Sequence, residues 1–474
     1  NMGPRGAVPR TPLSNARGNP AENANFRDFL FQHRAARIAS IGLGQLNSAN
    51  FTLGSSARDA RAKAFARFVQ GVGLANVALA YDSGAVLTEN DAPDAINALV
   101  SYESLMQAAL GYLDSAIAIA SGPVPAGTGW FPLPSTWVNG LALSASDFVR
   151  LARSYKARFR AGVARTPAER ALVNWTEVIN DALNGIAADL KLSMTPSAGW
   201  DIAWTTIHYN TGSANWHQMS QFFLGMADTS GEYSAWLADP LADRQAFLVV
   251  SPDRRIPRGA NRATQQANSP APNAGLPFDS VPYFRNRPTG EDQPGAPMGK
   301  SYYDFYRSRA LFDAARIGPY PVMTRAEMNL LAAEGYLRAG NVAAAVALIN
   351  VSRIAKGGLP SLAAITDTVT PVPGGNACVP RVPDPATNFK SARCGTVWDA
   401  LKWEYRLENA FIAYGAWFFA ARGWGDLPEG TAVHWPVPLQ EMDARQQAFY
   451  DMGGVGAPGG AARGNYGLFA GGVY

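Results

Sequence analysis

Residues 323–358 carry the start and stop signals of two consecutive helices, and no other stretch constrains the fold as much. Thr324 and Glu327 stand at capping-box spacing, where a hydroxyl and a carboxylate satisfy N–H groups that a helix start leaves open. Met323 and Met328 flank them as a hydrophobic staple. The helix is expected to stop at Gly340, which enters the left-handed cap conformation at little cost. Asn341 then caps a second helix with Val342, Val346 and Ile349 on one stripe, ending at Gly357-Gly358. Ala332, Ala333, Gly335, Ala339 and Ala343 to Ala345 leave room for two helix axes to come close. The pattern predicts a helical hairpin over 324–356, the unit of a tetratricopeptide-like repeat, which must pack on further pairs to bury its apolar face.

Other helical patterns surround it. Asn25 to Ile41 is one, and Ser56 to Tyr81 another, with Phe65, Phe68, Val69 and Val72 at helical spacing. Asp91-Ala-Pro-Asp94 reads as an N-cap with Pro in the first turn, launching a helix to about Ala120. Ser144 to Val163 and Pro167 to Leu190 form a further pair, and Thr396 to about Arg422 the last block. Residues 193–320 break the pattern: Trp200, Trp204, Trp216 and Trp236 crowd one stretch, and Pro and Gly recur from Ser251 to Gly299. A long segment of this kind is usually functional or an interaction surface. The expected fold is all-α, built of tetratricopeptide-like helical hairpins with a loop-rich insertion. Its parts are an extended arm over 1–20, a helical domain over 21–452 and a Gly-rich tail over 453–474.

Composition excludes several function classes. Net charge is +4, but only 7 of the 41 basic residues are Lys and no basic block occurs. A phosphate-binding face needs clustered cations, so nucleic acid is not an expected partner. The longest apolar run, Phe411 to Ala421, has 11 residues against the ~20 of a spanning helix, and reads as a buried core helix. The opening Asn1-Met2-Gly3 has no charged or apolar leader pattern, as in a mature or trimmed chain. His33, His208, His217 and His434 show no i, i+4 metal pair, so no metal site is expected. Gly-x-Ser-x-Gly, Walker and dinucleotide patterns are absent, and neither a cofactor nor catalytic residues are expected. Glu404 and Glu408 share a helical face, but Lys402 and Arg406 flank them, so a solvated or ion-paired face is expected rather than a catalytic pair. The sequons at Asn50, Asn174 and Asn350 read as chance.

Two kinds of residue carry the remaining chemistry. Cys378 and Cys394 sit in a loop rich in Pro and Gly; the alternatives are free thiols in a reducing compartment or a disulfide. Free Cys is usually buried, whereas a bond closing a loop of about 15 residues contributes roughly 3 kcal/mol to a segment with no core of its own. The disulfide is favoured, and with it an oxidising compartment. The aromatics Tyr81, Trp200, Trp204, Tyr209, Trp216 and Tyr283 are candidate ligand contacts, because a flat ring gives large area with few rotamers. Packing of the irregular segment onto the helices is the competing reading.

The motifs together resemble the RagB/SusD-like family. Thr324-Arg-Ala-Glu-Met-Asn-Leu-Leu-Ala-Ala-Glu-Gly-Tyr-Leu-Arg-Ala-Gly-Asn341 is similar to its central hairpin signature, continuing through Ala345, Ile349-Asn350 and Arg353. Glu404-Tyr-Arg-Leu-Glu408 with Gly415-Ala-Trp-Phe-Phe-Ala-Ala-Arg-Gly-Trp-Gly425 resembles the late helix of the family. Trp435-Pro-Val-Pro-Leu-Gln-Glu441 resembles its Pro-Ile-Pro segment, and Tyr81-Asp-Ser-Gly-Ala-Val-Leu87 its early turn. The four lie in family order across about residues 21–450. There are departures. Trp417 stands for the usual Arg and Ala420 for the usual Asp, so a buried ion pair of the family is expected to be missing. Ala85-Val86-Leu87 lacks the Pro of the turn, and the family's lipid-anchor Cys is not present in this chain.

The resemblance implies a SusD-like fold and a non-enzymatic, extracellular nutrient-binding protein at the outer membrane. Its ligand would be an oligosaccharide or peptide, and its partner a SusC-type TonB-dependent transporter. The alternative is a structural subunit of an extracellular homopolymer built on that fold. The terminal arms bear on this second reading. Residues 1–20 hold Arg5, Arg10 and Arg17, no acid before Glu22, and four prolines that favour an extended chain. The tail offers Tyr466, Leu468, Phe469, Val473 and Tyr474 between glycines. Such arms either self-assemble with another chain or wrap over their own. Titration of the unfolded, unreduced protein is expected to find no free sulfhydryl; two would refute the disulfide.

Overall fold

In a computed structural model of the chain the described residues are 13–17, 22–92, 94–200, 218–240, 243–269, 278, 280–289, 300–412, 415–427 and 430–453. They fall into two compact units, 13–187 with 415–453, and 188–412. Among these residues the fold is mostly helical with short strands. No described helix is long and apolar enough to cross a membrane.

The first unit opens with α1 (Glu22–Asn47) and α2 (Ser56–Ala80), then the two-stranded antiparallel ribbon of β1 (Ser83–Ala85) and β2 (Leu99–Ser101). It continues with α3 (Tyr102–Ser121), α4 (Ala145–Gly162), α5 (Pro167–Ala171) and α6 (Trp175–Leu183). Side-chain caps start most of them: Ser55, Ser101, Ser144, Thr166 and Asn174 each accept a backbone N–H three residues on. Two glycines set the spacing of the first three helices. A Cβ on Gly71 would lie 2.7 Å from Leu113 Cγ of α3, and one on Gly73 would lie 2.8 Å from Gln32 O of α1. Buried Asp181 of α6 meets Arg153, Lys156 and Arg160, one face of α4, at 3.1, 3.4 and 2.6 Å.

Two sequence expectations fail here for local reasons. The segment Asp91 to Asp94 does not launch a helix, and α3 begins at Tyr102 under the Ser101 cap. The Asp91 carboxylate is spent on Thr88 N–H and Asn97 Nδ2, both 2.7 Å away, which closes a loop. Residues 167–190 are not one helix either, because Asn174 restarts the chain by capping α6.

The second unit begins with β3 (Leu190–Met194). A three-stranded sheet follows from β4 (Gln218–Ser220), β5 (Phe284–Asn286) and β6 (Lys300–Phe305), with β6 central. β7 (Gly318–Met323) pairs antiparallel with β3 and leads into α7 (Arg325–Arg338) and α8 (Val342–Ser352). This is the expected hairpin. Thr324 Oγ1 accepts Glu327 N–H at 3.0 Å, Met323 and Met328 are buried, Gly340 has φ +75°, and Asn341 caps α8. The β8 (Arg381–Pro383) and β9 (Ala392–Cys394) ribbon carries the disulfide: Cys378 is bonded to Cys394, and Cys378 is buried.

Helix α9 (Val397–Asn409) holds Glu404 and Glu408, and these are neither solvated nor paired with their sequence neighbours. Both are buried against Arg255, whose own side chain has 0 % exposure. Arg255 donates to Asp253 at 2.8 and 2.9 Å, to Glu404 at 2.7 and 2.9 Å and to Glu408 at 3.1 Å. Burial alone would work against all these charges. It does raise Glu404, whereas Arg255 holds Asp253 low and the carboxylates hold Arg255 well above its usual range.

The chain then returns to the first unit with α10 (Ala416–Trp424) and α11 (Leu439–Arg445). The run from Phe411 to Ala421 is therefore not one core helix. α9 stops at Asn409, whose Oδ1 accepts from Thr324 Oγ1 at 3.1 Å, and Phe411 turns at φ +58° with its carbonyl held by Tyr320 Oη at 2.6 Å. Leu13 and Asn15 pair with Met452, Gly453 and Tyr450 of the same chain, and Leu13 packs on Ala432 and Met452. The remainder of both arms, residues 1–12 and 454–474, lies outside the described residues.

Replacing Arg255 by Met is expected to cost about 3–5 kcal/mol in urea unfolding, because buried Asp253 and Glu404 lose their cation and Glu408 keeps only Arg307. Replacing Arg17, whose pair with Asp443 is exposed, is expected to cost about 1 kcal/mol or less.

Candidate functional site

The aromatic residues singled out from the sequence do not form one described cluster. Tyr81 caps α2, is 1 % exposed, and meets Phe29 edge-on at 5.0 Å. Tyr283 is 0 % exposed; its hydroxyl donates to Glu408 at 3.1 Å, and Arg307 lies 4.1 Å over its ring. Trp200 is half-buried, its backbone bonded both ways to Thr195. Trp204, Tyr209 and Trp216 lie outside the described residues.

A different aromatic group does reach the surface, on the connection between α3 and α4. Trp130, Phe131 and Trp137 are all half-buried. Phe65 of α2 lies 4.9 Å from Trp137, and Phe131 lies 4.9 Å from Trp130 and 5.4 Å from buried Phe148 of α4. The connection is tied down along its length. Ser55 Oγ donates to Thr128 O at 2.6 Å, Ala57 N–H to Ala126 O, and Leu133 N–H to Leu143 O at 2.8 Å. Arg61 of α2 reaches under it, donating to Trp130 O at 3.1 Å and Pro132 O at 3.2 Å, with its guanidinium 5.5 Å from the Trp137 ring. Gly129, at φ +89°, leaves no room for a Cβ, which would stand 2.5 Å from Arg58 Cγ. Neither indole N–H has a partner among the described residues.

The result is a ledge of fixed rings with two free donors. Stacking area and hydroxyl recognition are both available there without reorganising the backbone. Sequence reasoning passed over Trp130 and Trp137, although they show the signal used elsewhere, tryptophan within a Pro/Gly-rich segment. Their segment is short and lies between two helices, so it read as a linker.

A second concavity of about 280 Å³ lies in the same unit between α1, the loop 85–97 and α11. Its back is fixed by His33. The ring Nδ1 donates to Phe29 O at 3.0 Å, and Nε2 accepts Ala85 N–H at 3.1 Å, which defines a neutral ring. Burial lowers the His33 pKa, more than Phe29 O and Glu441 raise it. Among the described residues no group of three His, Cys, Asp or Glu is arranged to hold a metal.

No family model matches the chain, and no curated protein does. Solved structures are similar to it. One is a SusD superfamily protein from Parabacteroides distasonis, 9 % identical over 93 % of this chain and 91 % of that one, with TM-score 0.48. Another is a SusD superfamily protein from Bacteroides vulgatus, 14 % identical over 92 % and 90 %, with TM-score 0.46. A third is surface glycan-binding protein A from Bacteroides uniformis, 11 % identical over 89 % and 84 %, with TM-score 0.46.

The His33 geometry has a consequence for pH. A histidine with a lowered native pKa binds fewer protons folded than unfolded, so its stabilising contribution is complete above about pH 6.5 and is lost as pH falls. Urea unfolding of the wild type is expected to show stability declining as pH falls below about 6.5. His33→Gln should flatten that decline; an unchanged slope would show that the histidine does not contribute.

Proposed function

We propose that this chain is a non-catalytic, extracellular binding protein for oligosaccharides, of the SusD-like kind. The observation that carries the binding role is the ledge of Trp130, Phe131 and Trp137: half-exposed rings on a tied-down loop, with unpaired indole N–H groups. Sugar rings present C–H faces to such a surface and hydroxyls to such donors. Support for the SusD-like kind comes from the four motifs, two of which the fold brings into register. Trp435 N–H donates to Ala80 O at 2.8 Å and Asp82 N–H to Trp435 O at 3.0 Å, joining the early turn to the Pro-Val-Pro segment. Half-buried Trp200 remains a separate candidate contact, while Tyr81 and Tyr283 act through packing.

On this reading the chain holds ligand at the cell surface for a SusC-type TonB-dependent transporter, which supplies the transport. A native particle containing a large β-barrel fits this role, and a ladder of one chain fits the homopolymer instead.

Affinity electrophoresis against a panel of neutral glucans tests the ledge. Trp130→Ala and Trp137→Ala are each expected to weaken retention about three- to tenfold, the scale of one aromatic contact, with the thermal transition nearly unchanged. Retention that is insensitive to both would refute the site.

A further inference from the structure

We infer that the hollow between α1, the loop 85–97 and α11 is a second binding site, for a small amphipathic monoanion: one carboxylate on a short apolar body. The reading of the aromatic ledge is not needed for it. The hollow's volume, about 280 Å³, lies just below the ~300–1,000 Å³ of ligand pockets for drug-sized molecules and suits a smaller ligand. Phe26, Phe29, Leu30, Leu87 and Ile96 give it apolar walls. Leu30 is 40 % exposed and Ile96 69 %, an apolar rim left open to solvent.

The charges fix the sign of the ligand. Three arginines line the hollow, and two are accounted for. Arg37 donates to Ala95 O at 3.0 Å and has Asp91 at 3.9 Å. Arg445 donates to Asn97 O and, at 2.7 and 2.8 Å, to Glu441, the acid of the lining. Arg34 makes no hydrogen bond or ion pair among the described residues. His33 offers nothing further, since both ring nitrogens are bonded to the backbone. One uncompensated cation beside an apolar floor matches one negative charge beside an apolar body. A neutral sugar would leave Arg34 unanswered and set hydroxyls against Phe26, Leu30 and Ile96. Because Arg34 is exposed, its charge sets preference more than strength, and burial of the apolar body supplies most of the affinity.

Isothermal titration of the whole chain with octanoate, with octan-1-ol as the neutral match, tests the assignment. Octanoate is expected to bind saturably at one site, about two- to fivefold tighter than octan-1-ol. Arg34→Glu should abolish or invert that preference while leaving octan-1-ol binding in place. Ile96→Asp, at an exposed position that tolerates a polar residue, should weaken both, and octanoate more. Trp137→Ala should leave octanoate binding unchanged, which separates this site from the ledge. Non-saturable uptake of octanoate, or a preference for octanoate that survives Arg34→Glu, would overturn the proposal.

Discussion

One guanidinium organises the second unit. Arg255 sits on a loop, fully buried, and meets Asp253 beside it and Glu404 and Glu408 one turn apart on α9. The carboxylates reach outward in turn. Glu404 accepts from Ser352 Oγ at the end of α8, Asp253 from Trp403 Nε1, and Glu408 from Tyr283 and Arg307. The hairpin, α9 and the irregular segment therefore share a single charge network. A network of this kind is weak evidence for net stability, because desolvating the ions offsets much of their attraction. Its stronger consequence is for register. If α9 slid by a turn, one carboxylate would lose Arg255, and an unpaired buried charge is costly.

That network also marks where sequence reading runs out. The hairpin over 324–356 was legible because its signals are local: Thr324, Gly340 and Asn341 act within three or four residues of themselves. Cys378 and Cys394 were legible because their loop could gain order in few other ways. Arg255 and Glu404 are 149 residues apart, and nothing near either one names the other. For Glu404 and Glu408 the flanking Lys402 and Arg406 pointed to a solvated or ion-paired face; the face is ion-paired, but with Arg255. Asp91 shows a second failure: an Asp two residues before a Pro fits a helix cap or a loop closure equally well, and only Asn97 and the Thr88 amide decide it.

The binding surface was less legible than the fold because exposure is a tertiary property. Tyr81 and Tyr283 have the chemistry of ligand contacts, but the first ring is buried against Phe29 and the second hydroxyl is bonded to Glu408. Trp130 and Trp137 have the same chemistry and stay half-exposed, on a connection that Arg61 holds by bonding to Trp130 O and Pro132 O. Composition could place tryptophans among prolines and glycines, but it could not say which were held with a face outward.

Within the first unit, α2 supports both candidate sites from its two ends. Its first turns hold the ledge through Ser55 and Arg61. Its last turn holds the chain beyond Trp435, since Ala80 O and Asp82 N–H both bond there and Asp82 also accepts from Tyr450 Oη. That returning chain continues into α11, which presents Arg445 and Glu441 to the hollow. The middle of α2 must therefore be the least adjustable part of the unit, and its residues agree. Gly71 and Gly73 lie where α3 and α1 approach too closely for any Cβ, and Leu74, Ala75, Val77 and Ala78 are fully buried. A helix pressed from both sides is hard to deform, because close-packed interiors have low compressibility. The two sites are in that way held at opposite ends of one stiff element.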